Sequence, residues 1–271
     1  MPHRVVVFDS GMGGLTVARA LREAMPDAEL IYAADSAAFP YGDWEEPELI
    51  ERILRVVGRI IDDARPDAVV VACNTASTLA LAALRKQFQL PFVGTVPAIK
   101  PAAEITETRM IGVLATPGTV KREYTQSLIH TFAFHCRVLV HGAPRLAEMA
   151  EAKLKGKPPN EKALAAEIAP VFRKRGGLRT DTVVLGCTHY PLLLDELEAA
   201  APWPVTFIDP SAAIAARAVQ VLNSSRAPGA GEGRIAANTA LFSSRRGTGA
   251  AELKSYASFG FNAHHIVDMP V

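Results

Sequence analysis

Short, mainly apolar runs alternate with segments whose apolar residues recur three and four positions apart along most of this chain. RVVVFD (4–9), LIYAAD (30–35), AVVVAC (68–73) and FVGTV (92–96) read as strands, and so do IGVLAT (111–116), RVLVHG (137–142), TVVLGC (182–187) and VTFID (205–209). A run such as AVVVAC, apolar at every position and rich in β-branched residues, predicts a strand buried on both faces. The segments between them predict helices over 14–25, 47–64 and 77–88, and near 118–130, 145–154, 160–175, 191–200 and 211–223. The clearest is 47–64: Ile50, Ile53, Leu54, Val57, Ile61 and Ala64 keep helical spacing, and Pro47 suits a first turn. Strands alternating with helices imply an α/β fold with parallel sheets and helices on both faces. The Gly-rich APGAGEG (227–233) interrupts the rhythm, after which TALFSS (239–244) and HHIVDM (264–269) are expected strands in a looser tail.

Composition adds limits. The chain has 271 residues, 49% hydrophobic and 21% charged, enough for one large core or two smaller ones. Lysine plus arginine outnumber aspartate plus glutamate by only 29 to 28, so nothing points to nucleic acid as a partner. No apolar run reaches membrane-spanning length and none resembles a signal peptide, so a cytoplasmic location is expected. Three cysteines, an odd number widely spread, argue against a disulfide framework and suit a compartment where thiols stay reduced.

Two of those cysteines share a setting. VACNTAS (71–77) and LGCTHYP (185–191) each run from an apolar strand through a small residue to cysteine, where a helix is about to begin. In open α/β sheets ligands gather at the carboxyl ends of strands, and a following helix offers unpaired N–H groups that favour a thiolate. One strand cysteine alone is ordinary core filler. The same device twice, escorted by Asn74 and Thr75 in one case and Thr188 and His189 in the other, is not. Cys136, opening a strand, has no such context. Other segments end at strand termini in the same way. Asp9 and Ser10 precede glycines that let backbone approach a ligand; the spacing is not that of a dinucleotide fingerprint, and the lysine of a P-loop is missing. Pro40, Tyr41 and Gly42 of FPYGD form a turn-rich loop that could cover a small ligand. Thr116 and Thr119 stand at a helix entrance, where N-capping competes with ligand binding.

The chemistry must suit two distant thiols. Zinc sites and redox dithiols use close cysteine pairs, whereas Cys73 and Cys187 are 114 positions apart. A cysteine–histidine nucleophile leaves the second thiol unexplained. Two-base proton transfer uses both: inverting a stereocentre removes a proton from one face and returns one to the other, with one group a thiolate and the other a thiol. Ser10, Asn74, Thr75 and Thr188 would hold the substrate carboxylate and its developing charge, while Asp9 and His189 would tune or orient the thiols.

FDSGMGGLTV, PYG, ACNTAS and GCTHYPLL together, in that order, resemble the signature segments of the glutamate racemases. The resemblance implies a cofactor-independent, metal-free enzyme that supplies D-glutamate for peptidoglycan. It implies two pseudo-symmetric parallel-sheet α/β domains with the active site in the cleft between them: 1–96 with 208–271, and 97–207. Cys73 and Cys187 would be the proton carriers on opposite faces, assisted by Asp9 and His189, with a family glutamate falling at Glu151. Asp9, Ser10, Pro40, Tyr41, Gly42, Asn74, Thr75, Thr116, Thr119, Thr188 and His189 would line the substrate site, and the enzyme would be a homodimer. His189 after the second Cys-Thr favours glutamate over the aspartate branch, which typically has glutamate there. The competing readings are a related isomerase acting on aspartate, a hydantoin or maleate, and a regulatory protein on a racemase scaffold. With the first strand starting almost at once, precursor activation of the kind seen in relatives with an N-terminal extension is not expected.

Overall fold

The computed structural model describes residues 2–224 and 233–267. They cluster into two compact units: one runs to Thr95 and resumes at Ser211, and the other is Val96–Pro210.

In the first unit the chain passes through β1 (Arg4–Asp9), α1 (Leu15–Ala24), β2 (Glu29–Ala34), α2 (Glu46–Ala64), β3 (Ala68–Val71), α3 (Asn74–Gln87) and β4 (Phe92–Gly94). Val6, Phe8, Ile31, Val69 and Val71 pack on Leu49, Ile53, Val56 and Ile60 of α2 and on Ala76, Ala80 and Leu84 of α3. The intervening Val5, Val7 and Val70 point the other way and are also fully buried, so this sheet is covered on both faces.

The second unit contains α4 (Ile99–Ile105), β5 (Met110–Ala115), α5 (Pro117–Val120), α6 (Glu123–Phe132), β6 (Arg137–Gly142), α7 (Leu146–Leu154), α8 (Glu161–Ile168), β7 (Lys174–Arg175), β8 (Leu178–Arg179), β9 (Thr182–Gly186), α9 (Leu194–Ala200) and β10 (Thr206–Ile208). The chain then returns to the first unit with α10 (Ser211–Ser224), β11 (Thr239–Phe242), α11 (Ala250–Ser258) and β12 (Ala263–Ile266). Two all-parallel sheets result, ordered β12-β11-β2-β1-β3-β4 and β10-β9-β5-β6. The expected α/β architecture of parallel sheets therefore forms. The order β2-β1-β3-β4 in one sheet matches β6-β5-β9-β10 in the other, and each cysteine follows the third strand of its quartet.

Several boundaries differ from the pattern's expectation, for identifiable reasons. The helix expected over 160–175 stops at Ile168, because Pro170 cannot donate to a continuing helix; a short 3-10 turn, Ala169–Val171, follows. The β7–β8 hairpin takes the rest, turning on Gly176 and Gly177 at φ 58° and 81°, the left-handed pair that a two-residue hairpin requires. The helix expected over 118–130 is broken into α5 and α6, where the Thr125 hydroxyl takes the Thr119 carbonyl that a continuous helix would have used. The segment expected to be helical over 191–200 begins as a 3-10 turn, Tyr190–Leu193, with Pro191 in it. Helices α4 and α11 and the β7–β8 hairpin were not expected at all. Of the Gly-rich segment 227–233, residues 227–232 lie outside the described residues, as do Asp268 and Met269 of the expected last strand. Among the described residues no helix is long and apolar enough to cross a membrane.

Asp181 fastens the start of β9 to the turn after α4. Its carboxylate accepts from the Thr106 hydroxyl at 2.6 Å, the Glu107 and Thr108 amides at 2.8 Å each, and the Thr182 hydroxyl at 3.0 Å. Burial works to raise its pKa, but these bonds, that from Thr106 foremost, more than offset it, and the pKa lies below the ordinary 3.8. The folded state thus favours the carboxylate. Its contribution is complete above the unfolded pKa and is lost as pH falls through the lower folded value. Asp181→Ala is expected to cost about 1–3 kcal/mol in urea unfolding at pH 7, and less at pH 3.

Candidate functional site

At the carboxyl end of the first unit's sheet, the β1 terminus and the β3–α3 junction lie side by side. Cys73 is the residue before α3, with extended backbone (φ −104°, ψ 122°), and its carbonyl accepts from the Ser77 amide at 2.8 Å. Its thiol, 7% exposed, therefore stands at the positive end of a 14-residue helix, the setting that favours a thiolate. The Ser10 hydroxyl is 3.9 Å from Cys73 Sγ and 3.3 Å from Asp9 Oδ1, which also accepts the Gly11 amide at 3.0 Å. Asp9 is fully buried.

Gly14 makes this approach possible. A Cβ there would lie 2.9 Å from the Tyr32 hydroxyl and 3.0 Å from both Ala72 Cβ and Asp9 Oδ2. Gly14→Ala is expected to displace the Asp9 carboxylate and to cost about 1–3 kcal/mol of stability. Turnover should fall further than urea denaturation accounts for; activity unchanged in the folded variant would contradict this placement of Asp9.

Asn74 and Thr75 open α3 and are buried. Asn74 Oδ1 accepts from the Thr95 hydroxyl at 3.4 Å, while its buried Nδ2 has no partner among the described residues. A buried amide donor left unsatisfied costs about 1–3 kcal/mol, so its position one residue from Cys73 suits an arriving acceptor such as a carboxylate. Pro40 and Gly42 are half-buried, following a cis Phe39–Pro40 peptide bond. Tyr41 is buried and its hydroxyl donates to Asp35 Oδ2 at 2.7 Å, so it turns inward, leaving the loop's backbone as the part able to meet a ligand. Burial first, then the Asp35 charge and hydrogen bond and the neighbouring Cys73, hold the Tyr41 pKa well above its usual value.

In the second unit Cys187 directly follows β9 and is 6% exposed. The helix expected near 191–200 begins as the 3-10 turn Tyr190–Leu193 and becomes α9 only at Leu194, so no α-helix N-terminus stands directly at Cys187 as one does at Cys73. The second thiol has a side-chain relay instead. Cys187 Sγ is 3.8 Å from His189 Nδ1, His189 Nε2 is 3.2 Å from Glu151 Oε1, and Glu151 Oε2 is 3.8 Å from Lys155 Nζ. A carboxylate at Nε2 fixes that nitrogen as N–H, so Nδ1 faces the sulfur as an acceptor when the ring is neutral and as a donor when it is protonated. Thus His189 can take a proton from the thiol or stabilise the thiolate. The next residue, Tyr190, is fully buried and donates to the Ala143 carbonyl at 3.1 Å. Burial, with the nearby Cys187 and Glu167, raises its pKa well above the ordinary value.

Thr188 is buried beside this relay. The Thr116 hydroxyl caps α5 by accepting the Thr119 amide at 3.2 Å, and the two threonine hydroxyls are 2.9 Å apart. The candidate site residues therefore fall into two groups. Asp9, Ser10, Pro40, Tyr41, Gly42, Cys73, Asn74 and Thr75 belong to the first unit, and Thr116, Thr119, Glu151, Cys187, Thr188 and His189 to the second. Cys136 keeps its ordinary reading: half-buried, with burial raising its pKa. Among the described residues no cluster of three or more His, Cys, Asp or Glu could hold a metal ion. Asp35, Arg52 and Ser243, which anchor Tyr41, carried no motif that marked them.

A family model described as Asp/Glu/Hydantoin racemase matches residues 15–218, and the chain belongs to that family of α/β racemases. Within the family its similarity is to glutamate racemases. It is 53% identical over 223 residues to the glutamate racemase of Brucella ovis, covering 82% of this chain and 80% of that one. Among solved structures, Escherichia coli glutamate racemase, in complex with L-glutamate and the activator UDP-MurNAc-ala, superposes with a TM-score of 0.93 at 39% identity over all of both chains. A glutamate racemase isoform from Bacillus anthracis superposes with a TM-score of 0.79 at 26% identity, over 99% of this chain and 98% of that one.

Proposed function

We propose that this chain interconverts L- and D-glutamate by moving the α-proton between Cys73 and Cys187, and that it supplies D-glutamate for peptidoglycan in the cytoplasm, where thiols stay reduced. The observation that carries the reading is the repeated placement of a buried thiol after the third strand of the same β-strand order, once in each unit. Each thiol has its own polar partner: Ser10 beside Asp9 in one, His189 backed by Glu151 in the other. The family membership and the glutamate racemases among its relatives support the substrate.

One thiolate takes the α-hydrogen and becomes a thiol, leaving the electron pair on the α-carbon, delocalised into the carboxylate. The other thiol then delivers its proton to the opposite face and becomes a thiolate. The substrate carboxylate needs donors that strengthen as charge develops, and Asn74 Nδ2, which has no partner among the described residues, is suited to be one such donor. A turnover of ~10 s⁻¹ allows a barrier of only about 16 kcal/mol, more than thiol basicity alone can deliver on so weak a carbon acid.

The test is racemisation in D₂O. Starting from either enantiomer, optical activity should decay to zero while deuterium enters the α-position, and glutamate should outpace aspartate. Faster turnover of aspartate would overturn the substrate, and racemisation that retains the original α-hydrogen would overturn exchangeable thiols as carriers.

A further inference from the structure

Asp35 directly follows β2 and is fully buried, yet nothing in the two-thiol chemistry uses it. Its amide donates to the Asp9 carbonyl at 2.9 Å, tying it to the residue that precedes Ser10. Its carboxylate gathers donors from three other parts of the unit. The Tyr41 hydroxyl lies at 2.7 Å, Arg52 Nε and Nη2 of α2 at 2.8 and 2.7 Å, and the Ser243 hydroxyl, just past β11, at 2.5 Å. Ser243 Oγ in turn accepts the Ala37 amide at 3.0 Å. The Trp44 indole lies 5.6 Å from the Arg52 guanidinium and donates to the Ala38 carbonyl at 2.9 Å. The loop carrying Tyr41 and Gly42 is thereby held from both ends.

Stability alone explains this poorly. Arg52 is set in the otherwise apolar buried face of α2, beside Leu49, Ile53 and Val56. A buried ion pair is often replaceable by apolar residues with no loss of stability, so it is weak evidence for a folding role. What the pair does fix is position. A two-pronged guanidinium–carboxylate contact admits one geometry, and through Asp35 it sets the Tyr41 loop and the β1 terminus relative to Cys73.

We infer that Asp35, with Arg52, Tyr41 and Ser243, is a positioning cluster for the Cys73 half of the reaction. It rests on the two-thiol reading above. Its loosening should slow proton transfer at Cys73 and leave the Cys187 step nearly untouched.

Because the two enantiomers are equal in free energy, kcat/KM is the same in both directions, and a fall in it cannot say which thiol is affected. Deuterium at the substrate α-carbon can. When the Cys73 step becomes slow, the isotope effect rises for the enantiomer from which Cys73 removes hydrogen and falls toward unity for its mirror image.

The variants are Tyr41→Phe, which deletes the bond to Asp35, and Ser243→Ala, which deletes the bond to Asp35 and the one from the Ala37 amide, both with the packing kept, together with Arg52→Lys, which keeps the charge but loses the fork. Glu151→Gln, on the Cys187 side, serves as the opposing control. Urea denaturation confirms that each variant is folded under assay conditions. The cluster variants should lose about tenfold to a hundredfold in kcat/KM, the cost of small misplacement. They should split the isotope effects in one sense and Glu151→Gln in the opposite sense, with Arg52→Lys only partly restoring the wild-type pattern. Folded variants whose isotope effects change equally for both enantiomers, or not at all, would overturn the cluster's role alone. A wild-type enzyme that racemises without α-hydrogen exchange would overturn the two-thiol reading and the cluster's role with it.

Discussion

Cys73→Ser and Cys187→Ser are each expected to lower glutamate racemisation by about 10³-fold, within the range a positioned acid–base group contributes. Serine keeps the size and the hydrogen-bonding hydroxyl, so the fold and the contact of Ser10 at 3.9 Å or of His189 at 3.8 Å should survive. What is lost is an acid weak enough to hold its proton and strong enough to release it near neutral pH; an alkoxide is not available there. Each variant keeps one working thiol. It should therefore still exchange the α-hydrogen of one enantiomer with D₂O, and the two variants should act on opposite enantiomers. Proton NMR of the α-signal alongside circular dichroism reads both quantities at once. Full racemisation by either variant, or exchange of the same enantiomer by both, would contradict the assignment.

The second large effect is expected at His189. His189→Asn should lower kcat by about 10²-fold, because asparagine can occupy the space and make a hydrogen bond but cannot accept and return a proton. Glu151→Gln should be milder, near tenfold, since it removes the charge that fixes the ring and not the ring itself. As His189 is 3% exposed and Glu151 touches it at 3.2 Å, the loss in Glu151→Gln should fall on kcat and leave KM little changed. A kcat unchanged by Glu151→Gln would remove Glu151 from the relay.

Much of the frame was legible because buried parallel strands leave a plain trace. RVVVFD, AVVVAC and TVVLGC each have an unbroken apolar centre; the first became β1 with its ends unchanged, and the other two became β3 and β9 with the C-terminal end two and one residues earlier. The local settings of Cys73 and Cys187 were legible for the same reason, as each sits directly downstream of such a run. Two kinds of feature were not. Short elements with mixed patterns went unseen: Ile99–Ile105 contains Pro101, and the β7–β8 hairpin is written as KRGGLR with a single apolar residue to mark a face. Long-range polar networks were invisible by nature. Glu151 reaches His189 across 38 residues and was placed by resemblance alone, while Ser243 reaches Asp35 across 208. The helix-dipole setting was correct at Cys73 and wrong at Cys187, where Pro191 turns the chain into a 3-10 turn before α9 can start.

The most direct measurement is a crystal structure of the wild-type enzyme with D-glutamate. The two-thiol account predicts Cys73 Sγ and Cys187 Sγ on opposite faces of the substrate α-carbon, each about 3.5 Å from it, with Asn74 Nδ2 on a carboxylate oxygen. Both sulfurs on the same face, or either one out of reach of the α-carbon, would contradict it.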